Sequence, residues 1–430
     1  MTSGRLARVV GVWGAVLMGL GSIIGTGIFV SVGIAAGVAG SAVVFAVALA
    51  AIVATFNGLS SAQLAASHPV SGGTYEYGYR YLNPTLGFVA GWMFLCAKSA
   101  SAATAALGFG GYALAAFDVE STPLRIAIGA ATVGALTAVL AGGMTRSNRT
   151  NAILVAITLV SLGAFVLAGI PTAVAGAGDH LGAVTRDLDA RDLLHATALM
   201  FVAFTGYGRI ATLGEEVRDP ARTIPRAVIV ALLATLTLYL GVVVVAIGTA
   251  GADALAAATR GTAAPLEVVA QAFRVPEVRY LVALAALTAM LGVLLNLLLG
   301  LSRVVLAMAR RGDMPPALAR VDDRHASPRA AVIVTGAVIA GLTLIGSVKT
   351  TWSFSAFTVL VYYALTNLAA LRLPPEHRRY GRWMPALGLV SCVGLAFWVE
   401  PAIWLVGLAL IAVGLVWKRV ARRWSAAAQS

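Results

Sequence analysis

The sequence predicts an all-α integral membrane protein with about twelve transmembrane helices, and three observations predict it. Hydrophobic residues make up 59% of the 430-residue chain and charged residues 11%, with a mean hydropathy of +0.88. An ordinary soluble domain carries about 25% charged residues. The apolar residues fall in long continuous runs, not in a two-residue alternation, so helices rather than barrel strands must satisfy the backbone in lipid. The cations are also segregated. With the N-terminus in the cytoplasm, 22 Lys and Arg fall on the inner side, seven on the outer, and Lys98 and Arg209 within the membrane. That asymmetry follows the positive-inside rule and would not survive adding or dropping an early span, so both termini are expected in the cytoplasm.

The first span runs near 10–35. Arg5 and Arg8 ahead of it mimic a signal peptide, but the apolar run from Val10 to Val38 is too long for one, and an uncleaved helix is expected. Further spans follow near 38–65, 84–116, 123–142, 149–172 and 192–214, then 224–249, 277–308, 329–346 and 351–371. The last two, near 384–399 and 401–418, are short enough to form one hairpin. The net charge of +13 sits between apolar runs, where it orients the chain against anionic lipid rather than marking a nucleic-acid partner. Cys96 and Cys392 each lie in an apolar stretch, so no disulfide framework is implied.

Two spans carry glycine interruptions. The first contains Gly19-Leu20-Gly21-Ser22-Ile23-Ile24-Gly25-Thr26-Gly27, four glycines in nine residues, each costing about 1 kcal/mol relative to Ala in a continuous helix. A dinucleotide fingerprint is excluded because Ile24 stands where its last glycine belongs and no strand precedes. Gly21 and Gly25 equally suit a helix-packing face. The sixth span, with Phe204-Thr205-Gly206-Tyr207-Gly208-Arg209, breaks that tie. Gly25 and Gly206 stand 181 residues apart, the spacing of first and sixth spans. Five helices per unit forces the second unit to enter from the opposite side. The expected units are 10–172 and an inverted 192–371, with two additional helices over 384–420. Paired interruptions in inverted halves point to a transporter's central site. Half-helix ends there offer N–H groups to an anion and carbonyls to a cation, which suits a zwitterion.

The segment Gly21 to Phe29 resembles the opening helix of amino-acid permeases in the amino acid–polyamine–organocation superfamily. Pro69 to Tyr75 resembles that family's loop after the second helix. Gly214-Glu215-Glu216 with Pro220 and Ile224-Pro225-Arg226 resembles the end of its sixth helix, and Ser302-Arg303, Ala307 to Arg310 and Pro315 the end of its eighth. The matches run in order from about residue 11 to 316. The resemblance implies a five-plus-five inverted-repeat bundle with broken helices one and six and two extra helices. It implies that Ser22, Thr26 and Gly27 meet a substrate carboxylate, that Ile23, Val202 and Thr205 offer carbonyls to its amine, and that Phe204 and Tyr207 flank its side chain. Family members often carry a large aromatic gate near Val202; here Phe201 is the nearest substitute. Gate pairing among Glu76, Glu215, Glu216, Asp219 and Arg80, Arg218, Arg222 rests on the same resemblance.

Lys98 lies more than two turns from either end of the third span, too deep for easy snorkelling, and an intramembrane cation is a functional residue by default. Proton-coupled relatives commonly carry a lysine in the fifth helix, seven residues after an Asn; counting from Asn151 gives Thr158. Lys98 is therefore the expected ion-coupling group, since desolvation disfavours its charged form. Arg209, seven residues before Glu216 on one helix face, reads as its structural partner at the inner gate, with substrate contact as the alternative. In the eighth span only Asn296 offers a polar side chain between Leu291 and Gly300, thin support for sodium. The five histidines lack ligand spacing, and neither a metal site, a hydrolase motif nor a cofactor is expected. The expected function is secondary active amino-acid transport by alternating access in the inner membrane, as proton-coupled uptake. An amino-acid or amine exchanger or exporter, and a ligand-sensing receptor on the same scaffold, are the alternatives.

Overall fold

The computed structural model describes residues 10–69, 72–143, 148–182, 189–213, 216–322 and 328–427. Arg5, Arg8, Val70, Ser71, Arg146, Arg186, Gly214, Glu215, Arg324 and His325 lie outside the described residues. The helices are α1 (Val12–Ile23), α2 (Val32–Ala39), α3 (Val43–Ser67), α4 (Thr74–Tyr81), α5 (Pro84–Ala115), α6 (Thr122–Ala141), α7 (Asn148–His180) and α8 (Ala190–Phe204). They continue as α9 (Gly208–Ala211), α10 (Pro220–Gly261), α11 (Pro265–Gln271), α12 (Val278–Arg310), α13 (Arg329–Thr343), α14 (Val348–Leu371), α15 (Trp383–Ala396) and α16 (Pro401–Ala427). No strand occurs among the described residues beyond a single bridge of Val10 to Val217.

Nine helical stretches among the described residues are long and apolar enough to cross a bilayer, and α13 and α15 are shorter apolar helices beside them. The stretch Val12–Ser67 holds 56 residues. At about 1.5 Å per residue it would reach about 84 Å if straight, against a hydrocarbon core of about 30 Å. It is not straight: it turns at Gly40, whose φ of 57° and ψ of −141° a side chain would oppose. The 42-residue α10 is interrupted likewise at Gly251, with φ 77°.

Helix starts follow local chemistry. The Asn83 side chain accepts from the Thr85 and Leu86 N–H groups at 3.0 and 2.8 Å, with Pro84 in the first turn of α5. Ser121, Asp189 and Ser347 cap α6, α8 and α14 in the same way. Pro225 within α10 leaves the Ala221 carbonyl without its helical donor, and the Arg379 guanidinium donates to it instead. Several helices outrun the hydropathy spans: α7 reaches His180, and α10, past its interruption at Gly251, reaches Gly261.

Helix α5 sets the long axis. Its first turns lie against α4, where a Cβ on Gly78 would meet Gly87 Cα at 2.6 Å. Its last turns lie beside the α10–α11 connection, where one on Gly111 would meet the Thr262 carbonyl at 2.2 Å. α4 and α11 therefore mark opposite faces of the molecule. α14 and α12 pack along α5, α7 and α3 along α10, and the core runs between these groups.

Candidate functional site

The two interrupted helices touch at their breaks. α1 ends at Ile23, Ile24 takes an extended conformation, and a π-helical turn over Gly27–Ser31 resumes the path. α8 ends at Phe204, passes through a 3-10 turn over Thr205–Tyr207 and continues as α9. A Cβ on Gly206 would stand 2.3 Å from the Ser22 carbonyl oxygen, and one on Gly27 2.6 Å from the Ala203 Cβ. Glycine alone permits that approach, so these residues bring the backbones together.

A cavity of about 320 Å³ opens beside the breaks. Ser22, Thr205, Gly206 and Arg209 line it from the broken helices, Lys98 and Phe94 from α5, Asn296 and Arg303 from α12, and Tyr362 and Tyr363 from α14. It reaches the α4 face through Gly72, Tyr75, Glu216 and Ala307. Toward the α11 face the path is packed: Tyr112 is fully buried, donates to the Phe29 carbonyl at 2.9 Å and stacks edge-on against that ring.

Lys98 is 9% exposed, and its ammonium donates to Thr205 Oγ1 at 2.9 Å. Thr205 Oγ1 passes a hydrogen bond on to the Val202 carbonyl at 2.8 Å, and the Tyr363 hydroxyl donates to the Thr205 carbonyl at 3.2 Å. The intramembrane cation is thus tied directly to the break in the sixth span. Among the described residues no carboxylate lies within 4 Å of it.

The residues named from sequence separate into two groups. Ser22, Thr205 and Lys98 line the cavity; Ile23, Thr26, Gly27, Val202, Phe204 and Tyr207 stand behind it in the packed layer. The Ile23 carbonyl accepts from the Tyr239 hydroxyl at 3.0 Å, and the Phe204 ring packs 5.2 Å from that of Tyr239. Thr26 is 3% exposed, and its hydroxyl has no hydrogen-bond partner. Phe201 is fully buried against Tyr363 and does not line the cavity. Arg209 makes no ion pair with Glu216 within 4 Å; its guanidinium lies 3.5 Å from Thr212 Oγ1, with Arg303 and Glu216 as charged neighbours. Thr158 is satisfied by the Leu154 carbonyl at 2.8 Å.

Sequence reasoning missed the tie at the α4 face. Asp313, 2% exposed, accepts from the Tyr75 and Tyr79 hydroxyls at 2.8 and 2.6 Å, and its carbonyl accepts from Trp417 Nε1 at 3.1 Å. Arg311 pairs with Glu76 at 2.6 Å and lies 4.2 Å from the Tyr79 ring centre. Burial pushes the Tyr75 phenol up, and Asp313 adds to the shift. The Tyr75/Tyr79 spacing on one short helix was the available signal; its partner 234 residues away from Tyr79 was not. On the α11 face Glu267 is 2% exposed, and its Oε2 has no hydrogen-bond partner. Burial raises its carboxyl to about 7, with Arg279 opposing and Asp118 adding to the shift. Among the described residues no three His, Cys, Asp or Glu side chains gather into a metal-binding group.

The cavity thus lies at the meeting point of two interrupted helices and is lined by mixed polar and aromatic groups, the arrangement expected of a small-molecule permease. The family description "Amino acid permease" matches residues 14–429, and the chain belongs to that family, within the amino acid–polyamine–organocation superfamily. It is similar to an uncharacterized transporter of Mycobacterium tuberculosis, 44% identical over 96% of this chain and 90% of that one. It is also similar to the branched-chain amino acid permease BcaP of Bacillus subtilis, 30% identical over 80% of this chain and 76% of the relative. A methylthioribose transporter of the same organism is 25% identical over 96% of this chain.

Proposed function

We propose that the protein is a secondary active amino-acid transporter of the plasma membrane, working by alternating access and taking up substrate with protons. The observation that carries this reading is the Lys98 ammonium, buried in the cavity and hydrogen-bonded to Thr205 in the break of the sixth span. In this reading residues 10–172 and 192–371 are inverted repeats, 384–420 is an addition, and both termini are cytoplasmic. The α4 face is then cytoplasmic, and the conformation is inward-facing: open past Gly72 and Ala307, closed at Tyr112 and Phe29. The interrupted helices supply N–H groups and carbonyls to the zwitterion, with Ser22 and Thr205 nearest the cavity. Ile23, Thr26, Gly27, Val202, Phe204 and Tyr207 stand behind this wall and complete the contact surface when the gates rearrange.

The partner set of Lys98 supports proton coupling. Among the described residues the Lys98 ammonium donates to one acceptor, the neutral Thr205 hydroxyl. A substrate carboxylate and this ammonium attract each other in the poorly screened cavity. Substrate and proton thus favour each other's binding, which is the reciprocity that symport needs. The test is uptake of labelled amino acids into proteoliposomes under an imposed proton or sodium gradient. Accumulation driven by the proton gradient and lost in Lys98→Met, with counterflow at equal pH retained, supports the reading. Accumulation that follows sodium and ignores protons, or that persists in Lys98→Met, overturns the coupling. Saturable binding with no flux in either direction makes the protein a receptor.

A further inference from the structure

The cavity's charges point to the kind of amino acid it takes, an inference that rests on the transport reading above. Among the described residues its charged lining groups are Lys98, Arg209, Arg303 and Glu216: three cations against one carboxylate. Among the described residues none of the three cations has a carboxylate within 4 Å. A neutral zwitterion leaves this excess in place, and a cationic side chain adds to it in a poorly screened interior. Donor capacity shows the same bias. An ammonium has three N–H donors and a guanidinium five. Lys98 directs one to Thr205, and Arg209 has one contact, at 3.5 Å, to Thr212. Thr205 and Arg209 stand one turn apart on the interrupted sixth span, and Lys98, bonded to Thr205, lines the same cavity as Arg209.

We infer that the preferred substrate is a dicarboxylic amino acid, its side-chain carboxylate received between Lys98 and Arg209. The α-carboxylate and amine are left to the helix breaks, and Arg303 nearer the mouth attracts the anion from the α4 face. Guanidinium and carboxylate match as paired, charge-assisted hydrogen bonds, which a neutral amide or methyl group cannot replace. Among the described lining residues Glu216, at the α4-face end, is the one group that opposes an anion.

Proteoliposomes holding the full-length protein, loaded with unlabelled amino acids, decide this by exchange of labelled glutamate, aspartate, glutamine, leucine and arginine. Glutamate or aspartate should exceed glutamine, leucine and arginine by at least ten-fold in competition. Arg209→Gln should narrow the glutamate-to-glutamine ratio by about ten-fold or more while glutamine exchange persists, a shift that mere loss of folding does not produce. Exchange of leucine, glutamine or arginine at rates equal to or above the acidic pair overturns the inference and leaves the transport reading standing. No exchange of any of the five by a monodisperse, thermally cooperative protein overturns both.

Discussion

At the scale of single residues, the same few atoms serve contact and mechanism. Thr205 links Lys98 to the Val202 carbonyl, so its hydroxyl is the joint between the third and sixth spans. Thr205→Val, which keeps the shape and removes the hydroxyl, leaves the ammonium without its acceptor. It should lower the thermal midpoint and cut pH-gradient-driven uptake at least ten-fold; wild-type uptake in Thr205→Val would remove the joint from the mechanism. Gly206 makes a separate, purely steric case. A Cβ there meets the Ser22 carbonyl at 2.3 Å, whereas one on Gly134 meets nothing within 4 Å. Gly206→Ala should cost about 1–3 kcal/mol by overpacking, read as a fall in thermal midpoint, and Gly134→Ala should not lower it. Gly27 belongs with Gly206: its site is filled by Ala203, so a bulky substituent there tests packing before it tests substrate contact.

At the scale of elements, short helices at the two faces lock the long ones. α4 is held to the end of α12 and to α16 through Asp313 and the Arg311–Glu76 pair. Closing the cavity on the α4 face requires Gly72, Tyr75 and Ala307 to approach one another, so this tie must move or travel as a unit. Tyr79→Phe removes one of two phenolic donors to Asp313. Its expected effect is a lower thermal midpoint with a changed exchange rate and little change in apparent substrate affinity, measured by comparing KM and maximal rate. On the α11 face, Glu267 has a carboxyl raised by burial to about 7 from an ordinary value near 4.5. The folded state therefore holds a proton that the unfolded chain releases between about pH 4.5 and 7. Its contribution to stability is fully present below about pH 4.5 and is lost as pH rises through 7. The thermal midpoint should fall from pH 5 to pH 8, and Glu267→Gln should flatten that slope; an equal slope in both proteins would assign the dependence elsewhere.

At the scale of the whole molecule, the cavity lining among the described residues reaches the α4 face and stops short of the α11 face. A cysteine at Ala307 should react with a membrane-impermeant maleimide applied from the cytoplasmic side and not from outside, with substrate slowing the reaction. Labelling from outside would reverse the assigned sidedness. The native Cys392 is fully buried and Cys96 half-buried, so both are replaced by Ala or Ser for a clean background.

Hydropathy alone determined that this is a helical membrane protein, because continuous apolar runs in lipid leave the backbone no other way to satisfy itself. The glycine clusters around Gly25 and Gly206 marked where helices stop, since a helix interior rich in Gly is weak whatever surrounds it. Lys98 stood out because a cation in a long apolar run is costly wherever the run ends up. Which neighbours these groups meet was not legible. Arg209 and Glu216 share a helical spacing in the sequence, yet α9 ends at Ala211 and removes the continuous helix that spacing assumes. Phe204 and Tyr207 lie in the packed layer, and Tyr362, Tyr363 and Phe94 line the cavity, a facing that residue type does not reveal. Asp313 carried no signal, because its value comes from two phenols and an indole more than 100 residues distant. Periodicity and composition act along the chain and are readable from it. The facing of side chains across a bundle depends on how helices rotate and approach one another, and that is settled by packing among distant segments.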